Sequence, residues 1–168
     1  PAGPTLLVTV PGSGTSTVTP SANAGYVFPV AFPSGSSYVV SIFADPLNKR
    51  CTVANPSGTF VDTNVGNVDV SCVDTYAIGG TVRGLPLFAS VDLASPGRST
   101  QTVNGTGTDR VYTFLPRALS GDTYSVTATT SGPANCSVPV PSGTVGTSAS
   151  TVDVYAPRTR SGRRRARR

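Results

Sequence analysis

Three cysteines, eight aspartates and a run of arginines at one end are the residues of this chain equipped for chemistry. Histidine is absent from all 168 residues, and every acidic side chain is an aspartate. Without imidazole there is no Ser-His-Asp triad, no Cys-His dyad and no histidine general base. The aspartates do not assemble into an acid–base pair either. Asp45 precedes Pro46 and Asp122 follows Gly121, turn settings in which the carboxylate satisfies backbone N–H groups. Asp69 and Asp153 recur inside Val-Asp-Val and read as solvent-facing strand positions. Asp62, Asn64 and Asp69 offer oxygen ligands, but their spacing is not that of an EF-hand loop. Three cysteines with no histidine make a poor zinc set. Gly12-Ser13-Gly14 and Gly105-Thr106-Gly107 lie between strand patterns, whereas a phosphate-binding loop opens a helix. The chain reads as non-enzymatic, with no cofactor and no metal.

The elements that must position these residues are written nearly twice. SGSSYVVSIFADPLNKRCTVANPSGTF is followed by NVDVSC, and SGDTYSVTATTSGPANCSVPVPSGTV by TVDVYA. The displacement is 84 to 86 residues, as Val68 to Val152, Cys51 to Cys136 and Tyr38 to Tyr124 show. Self-similarity on this scale is the mark of modules built to be strung together. It divides the chain into a first module over residues 1–74, a second over 75–157 and a tail over 158–168. Modules of this size have thin cores, so cross-links and neighbours matter to them. Val, Thr, Ser, Gly and Pro dominate while strong helix formers are scarce, which favours strands and turns.

Leu6, Val8 and Val10 alternate with polar or outward positions, the period of a half-buried strand. A second strand is expected over residues 25–31, carrying Tyr26 and Phe28. Beyond the Pro33-Ser34-Gly35 turn, Tyr38, Val40 and Ile42 face one way and Val39, Ser41 and Phe43 the other. The second module repeats the scheme, with Tyr112 and Phe114, then Tyr124, Val126 and Ala128. Short strands at regular spacing between Gly/Pro turns predict an all-β sandwich. One asymmetry stands out. The second module opens with an additional strand, YAIGGTV at residues 76–82, while the first begins only five residues before Leu6. Three arrangements satisfy this: a processing or excision boundary, a strand supplied by another chain to an open edge, or cover by the chain itself. Pro1, which is not an initiator methionine, fits a mature, processed or excised form.

Cys51 and Cys72 lie at the two ends of the first module's last strands and are expected to form a disulfide. Such a loop constrains the unfolded chain by roughly 3 kcal/mol and belongs to an oxidising compartment. The second module has Ala156 where the first has Cys72, so Cys136 is left without its counterpart. It is either an inert buried thiol or an inter-subunit link. The net charge of +5 is unevenly placed. Up to residue 157 the chain carries six basic residues against eight Asp, and the remaining seven basic residues are Arg158, Arg160, Arg163, Arg164, Arg165, Arg167 and Arg168. This tail is either a solvated end, a contact for polyanions or acidic surfaces, or a terminus foreign to the fold. It has no aromatic residue for stacking on bases. No apolar run reaches the roughly 18 residues of a transmembrane helix.

The succession GGTVxGL at residues 79–85, V-x-L, Y-x-F, SGxxYxV around Tyr38 and Tyr124, PxxCxV around Cys51 and Cys136, PSGT at residues 56–59 and 141–144, and VxVxC resembles a repeat of bacterial secreted and cell-surface proteins. More broadly it is similar to immunoglobulin-like and carboxypeptidase-regulatory-like β-sandwiches. The resemblance implies two tandem immunoglobulin-like β-sandwich modules followed by a basic tail, in a protein that is secreted or on the cell surface. Repeats of this kind serve as stalks, adhesin modules and assembly units. The expected function is that of a non-enzymatic extracellular structural protein, a surface stalk or self-assembling filament subunit. Its partners would be further copies or neighbouring repeat modules, joined by strand addition. The alternatives are a binder of polyanions, nucleic acid or acidic surfaces through the arginines, and a carbohydrate-binding or adhesin module.

Overall fold

Alternating Val, Ile, Tyr and Thr give strands with one apolar face, and the structure pairs those faces in several small sheets with no helix among the described residues. It is a computed structural model that describes residues 2–21, 23–132 and 134–156. The chain is all-β and divides into two compact units, residues 1–75 and 76–168. No helix is long and apolar enough to cross a membrane among the described residues.

In unit one the strands are β1 (Thr5–Val10), β2 (Gly14–Val18), β3 (Ser37–Ala44), β4 (Lys49–Val53), β5 (Ser57–Thr59) and β6 (Val70–Asp74). One sheet has the order β2-β1-β3-β5 and the other pairs β4 with β6. Leu6, Val8 and Val10 of β1 are buried on one face, together with Tyr38 and Val40 of β3, as the period-2 pattern requires. Cys51 and Cys72 are direct partners in the antiparallel β4–β6 ladder and are joined as a disulfide, their Cα atoms 4.0 Å apart. The turn leading into β4 is held by Asp45, whose Oδ1 accepts the Cys51 N–H at 2.8 Å.

Unit two contains β7 (Ile78–Arg83), β8 (Ser90–Ala94), β9 (Gln101–Asn104), β10 (Arg110–Thr113), β11 (Thr123–Ser125), β12 (Thr127–Ser131), β13 (Ser142–Thr144), β14 (Ser150–Thr151) and β15 (Val154–Tyr155). Strand β7 runs antiparallel to β10 on one side and parallel to β14 and β15 on the other. β12-β8-β9 makes a second sheet and β11–β13 a third. Their apolar faces enclose a core containing Ile78, Val82, Leu93, Phe114 and Val154.

The written repeat recurs bond for bond. Tyr38 faces Gly58 across β3–β5, and Tyr124 faces Gly143 across β11–β13. Val40 N–H donates to the Pro56 carbonyl and Val126 N–H to that of Pro141, both at 2.6 Å. Gly35 N–H reaches Phe60 O at 2.7 Å, and Gly121 N–H reaches Val145 O at 2.8 Å.

Several elements differ from the sequence reading: β2, β5, β9 and β13 form where the sequence pattern suggested loops or turns. The strand expected over residues 25–31 does not form, although its unit-two counterpart does, as β10. A strand exists only where a neighbour takes its N–H and C=O groups. β10 has β7 for that purpose, and among the described residues of unit one nothing plays that part. A further difference is minor: the strand expected from residue 76 begins at Ile78, with Tyr76 making an isolated bridge to Ala118.

The disulfide closes a separation of 21 residues. Replacing both partners by Cys51→Ala and Cys72→Ala should lower the stability of unit one by about 3 kcal/mol. Unit two, whose Cys136 is free, should keep its own transition. Thermal unfolding followed by calorimetry checks both.

Candidate functional site

β7 shows what a strand needs in order to sit at the centre of such a unit. Its sequence is Ile-Gly-Gly-Thr-Val-Arg. Ile78 and Val82 point into the core, 1% and 0% exposed, which stabilises the unit by roughly 1.5–3 kcal/mol each. The glycines between them answer a steric demand. A Cβ on Gly79 would run into the Tyr112 carbonyl, and one on Gly80 into that of Val152. Both belong to the flanking backbones, so neither gives way easily. Above this pair the Tyr112 hydroxyl donates to Val152 O at 2.5 Å, tying the two flanks together across β7. Asp153 completes the seat: Oδ1 accepts the Thr81 N–H at 2.9 Å, and Oδ2 meets Arg83, which also pairs with Asp109. Asp153 is therefore half-buried and bonded along β7, not solvent-facing as its Val-Asp-Val setting suggested. Alternation alone does not show that a neighbouring strand lies against it.

Burial drives the Tyr112 hydroxyl up to about 12, with the Asp153 charge and then Tyr124 adding to the effect.

Unit one carries the same seat, with no strand upon it among the described residues. Tyr26 donates its hydroxyl to Val68 O at 2.7 Å, matching Tyr112 and Val152. Tyr26 and Phe28 meet edge to face at 5.8 Å, as Tyr112 and Phe114 do at 5.5 Å. Burial raises the Tyr26 pKa, with the charge of Asp69, the counterpart of Asp153, second and Tyr38 third. Between these flanks lies a cleft of about 1390 Å3, walled by Val8, Tyr26, Phe28, Tyr38, Val40 and Val68 among others. Residues 24–28 and 62–69 enter no ladder among the described residues. Val27 is 84% exposed, and Tyr26 and Phe28 are only half-buried, whereas Tyr112 and Phe114 are buried. The chemistry on offer is that of main-chain pairing: two ragged edges of N–H and C=O groups facing across an apolar trough.

The residues singled out by sequence fall elsewhere. Cys51 and Cys72 form the disulfide beside the cleft, and Cys72 lines it. Cys136 is free, half-buried against the unit-two core, and burial pushes its thiol pKa up, which depletes the reactive thiolate. Arg158, Arg160, Arg163, Arg164, Arg165, Arg167 and Arg168 lie outside the described residues. The two tyrosine–valine ties were missed. Their four residues fall on strand patterns of the sequence, at matching offsets in the repeat. Nothing local in those segments says that a side chain of one bonds the backbone of the other. No protein-family model matches the chain, and no curated protein matches it.

The raised Tyr112 pKa has a definite sign in stability. The unfolded chain releases this proton near pH 10, the folded chain only at about 12. Between those values the unfolded state binds fewer protons, so stability falls as pH rises through that window and is intact below it. Unit two should lose melting temperature steeply from pH 10 to 12, and Tyr112→Phe should make that fall shallower. A pH series of melting curves reads it.

Proposed function

We propose that the chain is part of a non-enzymatic extracellular structural protein, a stalk of immunoglobulin-like β-sandwich repeats in which one module is completed by a strand from another polypeptide segment. The observation that carries the reading is the pair of matching seats. Unit two has β7 between its tyrosine-bearing flank and its Val-Asp-Val flank, and unit one presents the same tie, the same carboxylate and an open apolar cleft.

Three further points support it. The Cys51–Cys72 disulfide suits an oxidising compartment outside the cytosol. Backbone edges that face an apolar trough are the recognition surface of strand addition, where main-chain bonds give affinity and alternate side chains give specificity. Finally, β7 is built into the middle of unit two, with neighbours on both sides. It is not free to leave without dismantling that unit, which favours a stalk over a filament formed by exchange of this strand.

The test is to supply the strand covalently. Fusing a second copy of residues 76–85 ahead of residue 1 should raise the melting temperature of unit one by several degrees, because roughly 1–3 kcal/mol of burial in a unit of this size moves the midpoint that far. The same length of Gly/Ser chain should leave it where it was. Equal melting of the two fusions would remove strand addition as the role of the cleft.

A further inference from the structure

Resting on the strand-addition reading, we propose that the occupant of the unit-one cleft is an extended polypeptide strand with the pattern apolar-Gly-Gly-x-apolar, running antiparallel to residues 24–28 and parallel to residues 66–71.

Both the direction and the pattern come from superposing one seat on the other in sequence. In β7, Gly80 is opposite Tyr112 and Val82 opposite Arg110 on one flank, while Ile78 is opposite Ser150 and Val82 opposite Val154 on the other. Carried back by the repeat, the second glycine of an incoming strand lies opposite Tyr26. The apolar residue two places later lies between Ala24 and Val70, and the one two places earlier comes beside Gly66. Those two apolar side chains would enter the trough beside Val8, Val40 and Phe28, where unit two has Ile78 and Val82.

The Gly-Gly requirement follows from the tie. Tyr26 Oη and Val68 O are 2.7 Å apart, against 2.5 Å for Tyr112 and Val152, so the flanks of both seats are drawn together by the same bond. A strand threaded there meets two backbone walls at the spacing that leaves no room for a Cβ on Gly79 or Gly80. Asp69 would accept the N–H of the residue after the glycines, as Asp153 accepts that of Thr81. An arginine at the end of the strand would gain less than Arg83 does. Asn23 stands where unit two has Asp109, so one of the two carboxylates that Arg83 meets has no equivalent.

The pattern also argues against a second copy of this chain as donor. The segment that fits is β7 itself, and its Ile78 and Val82 are already enclosed in unit two. Moving them into the unit-one cleft of a neighbour exchanges one burial for another and leaves a cleft behind. The donor is therefore a segment of this pattern that no unit has yet taken up.

The experiment is an NMR titration of the labelled full chain with a nine-residue synthetic peptide of residues 76–84. The expected result is saturable binding that shifts the amides of residues 24–28 and 65–70 and spares their unit-two counterparts. A peptide carrying Gly79→Val and Gly80→Val should bind roughly 100-fold more weakly, the size of a backbone overpacking penalty read as affinity. A peptide with the sequence reversed should also fail. Equal binding of the valine peptide would overturn the Gly-Gly pattern while leaving strand addition intact. Failure of every peptide, with the fused strand still stabilising unit one, would support the pattern and place the donor in the same polypeptide as unit one. If the fused strand were also without effect, the strand-addition reading itself would fall. Reversible dimers formed by the chain alone, with unit-two amides losing protection, would reassign the donor to a second copy.

Discussion

A strand in the middle of a sheet must satisfy both of its edges and fit between two fixed backbones. In this protein that constraint is concentrated in a tyrosine hydroxyl bonded to a valine carbonyl across the strand path. In unit two the bond runs from Tyr112 to Val152, and the strand beneath has glycine at the two places where a Cβ would strike the flanks. The apolar residues bracketing those glycines fill the core, and Asp153 fixes the register by taking the next amide. Remove the strand from this arrangement and three things happen together. The flanks lose their pairing, the aromatic pair becomes accessible, and the core opens. Unit one shows all three.

The two units resolve the thin-core problem of small β domains in different ways. Unit two has a large enclosed core built around β7 and carries no disulfide among the described residues, with Ala156 in the place of one sulfur. Unit one buries fewer large side chains, with Val8, Val10, Tyr38 and Val40 at its centre, and joins β4 to β6 through Cys51–Cys72. The covalent link raises the free energy of the unfolded chain, while the central strand lowers that of the folded one. Among the described residues, each unit carries the device that the other does not show. The disulfide lies beside the cleft, with Cys72 in its wall.

Much of this was legible in the sequence, because the relevant signals are local or repeated. The alternation at Leu6, Val8 and Val10 and at Tyr38, Val40 and Ile42 shows strands with one buried face. Asp45 announces its turn, and the place of Cys51 and Cys72 on the first module's last strands announces their bond. The extra GGTV strand and its missing counterpart were visible as an asymmetry. What escaped was non-local. Residues 25–31 have the composition of a strand, yet strand formation is a property of two segments, and the second is not among the described residues of unit one. Asp153 alternates like a surface residue, but its carboxylate is spoken for by a neighbour 72 positions away. The tyrosine–valine tie links a side chain to a backbone carbonyl, a pairing that composition and period cannot express. Its trace was there all the same, in two tyrosines and two valines that recur at nearly the same offset.

The measurement that bears most directly on this account is amide hydrogen exchange of the chain by itself, resolved to single residues. Residues 24–28 and 65–69 of unit one should exchange at rates close to those of an open chain. Residues 110–113 and the amides of β7 in unit two should exchange only through opening of the whole unit. Comparable protection of the two sets would mean that unit one already satisfies its backbone without an added strand, and the cleft would then be a packing defect rather than a seat.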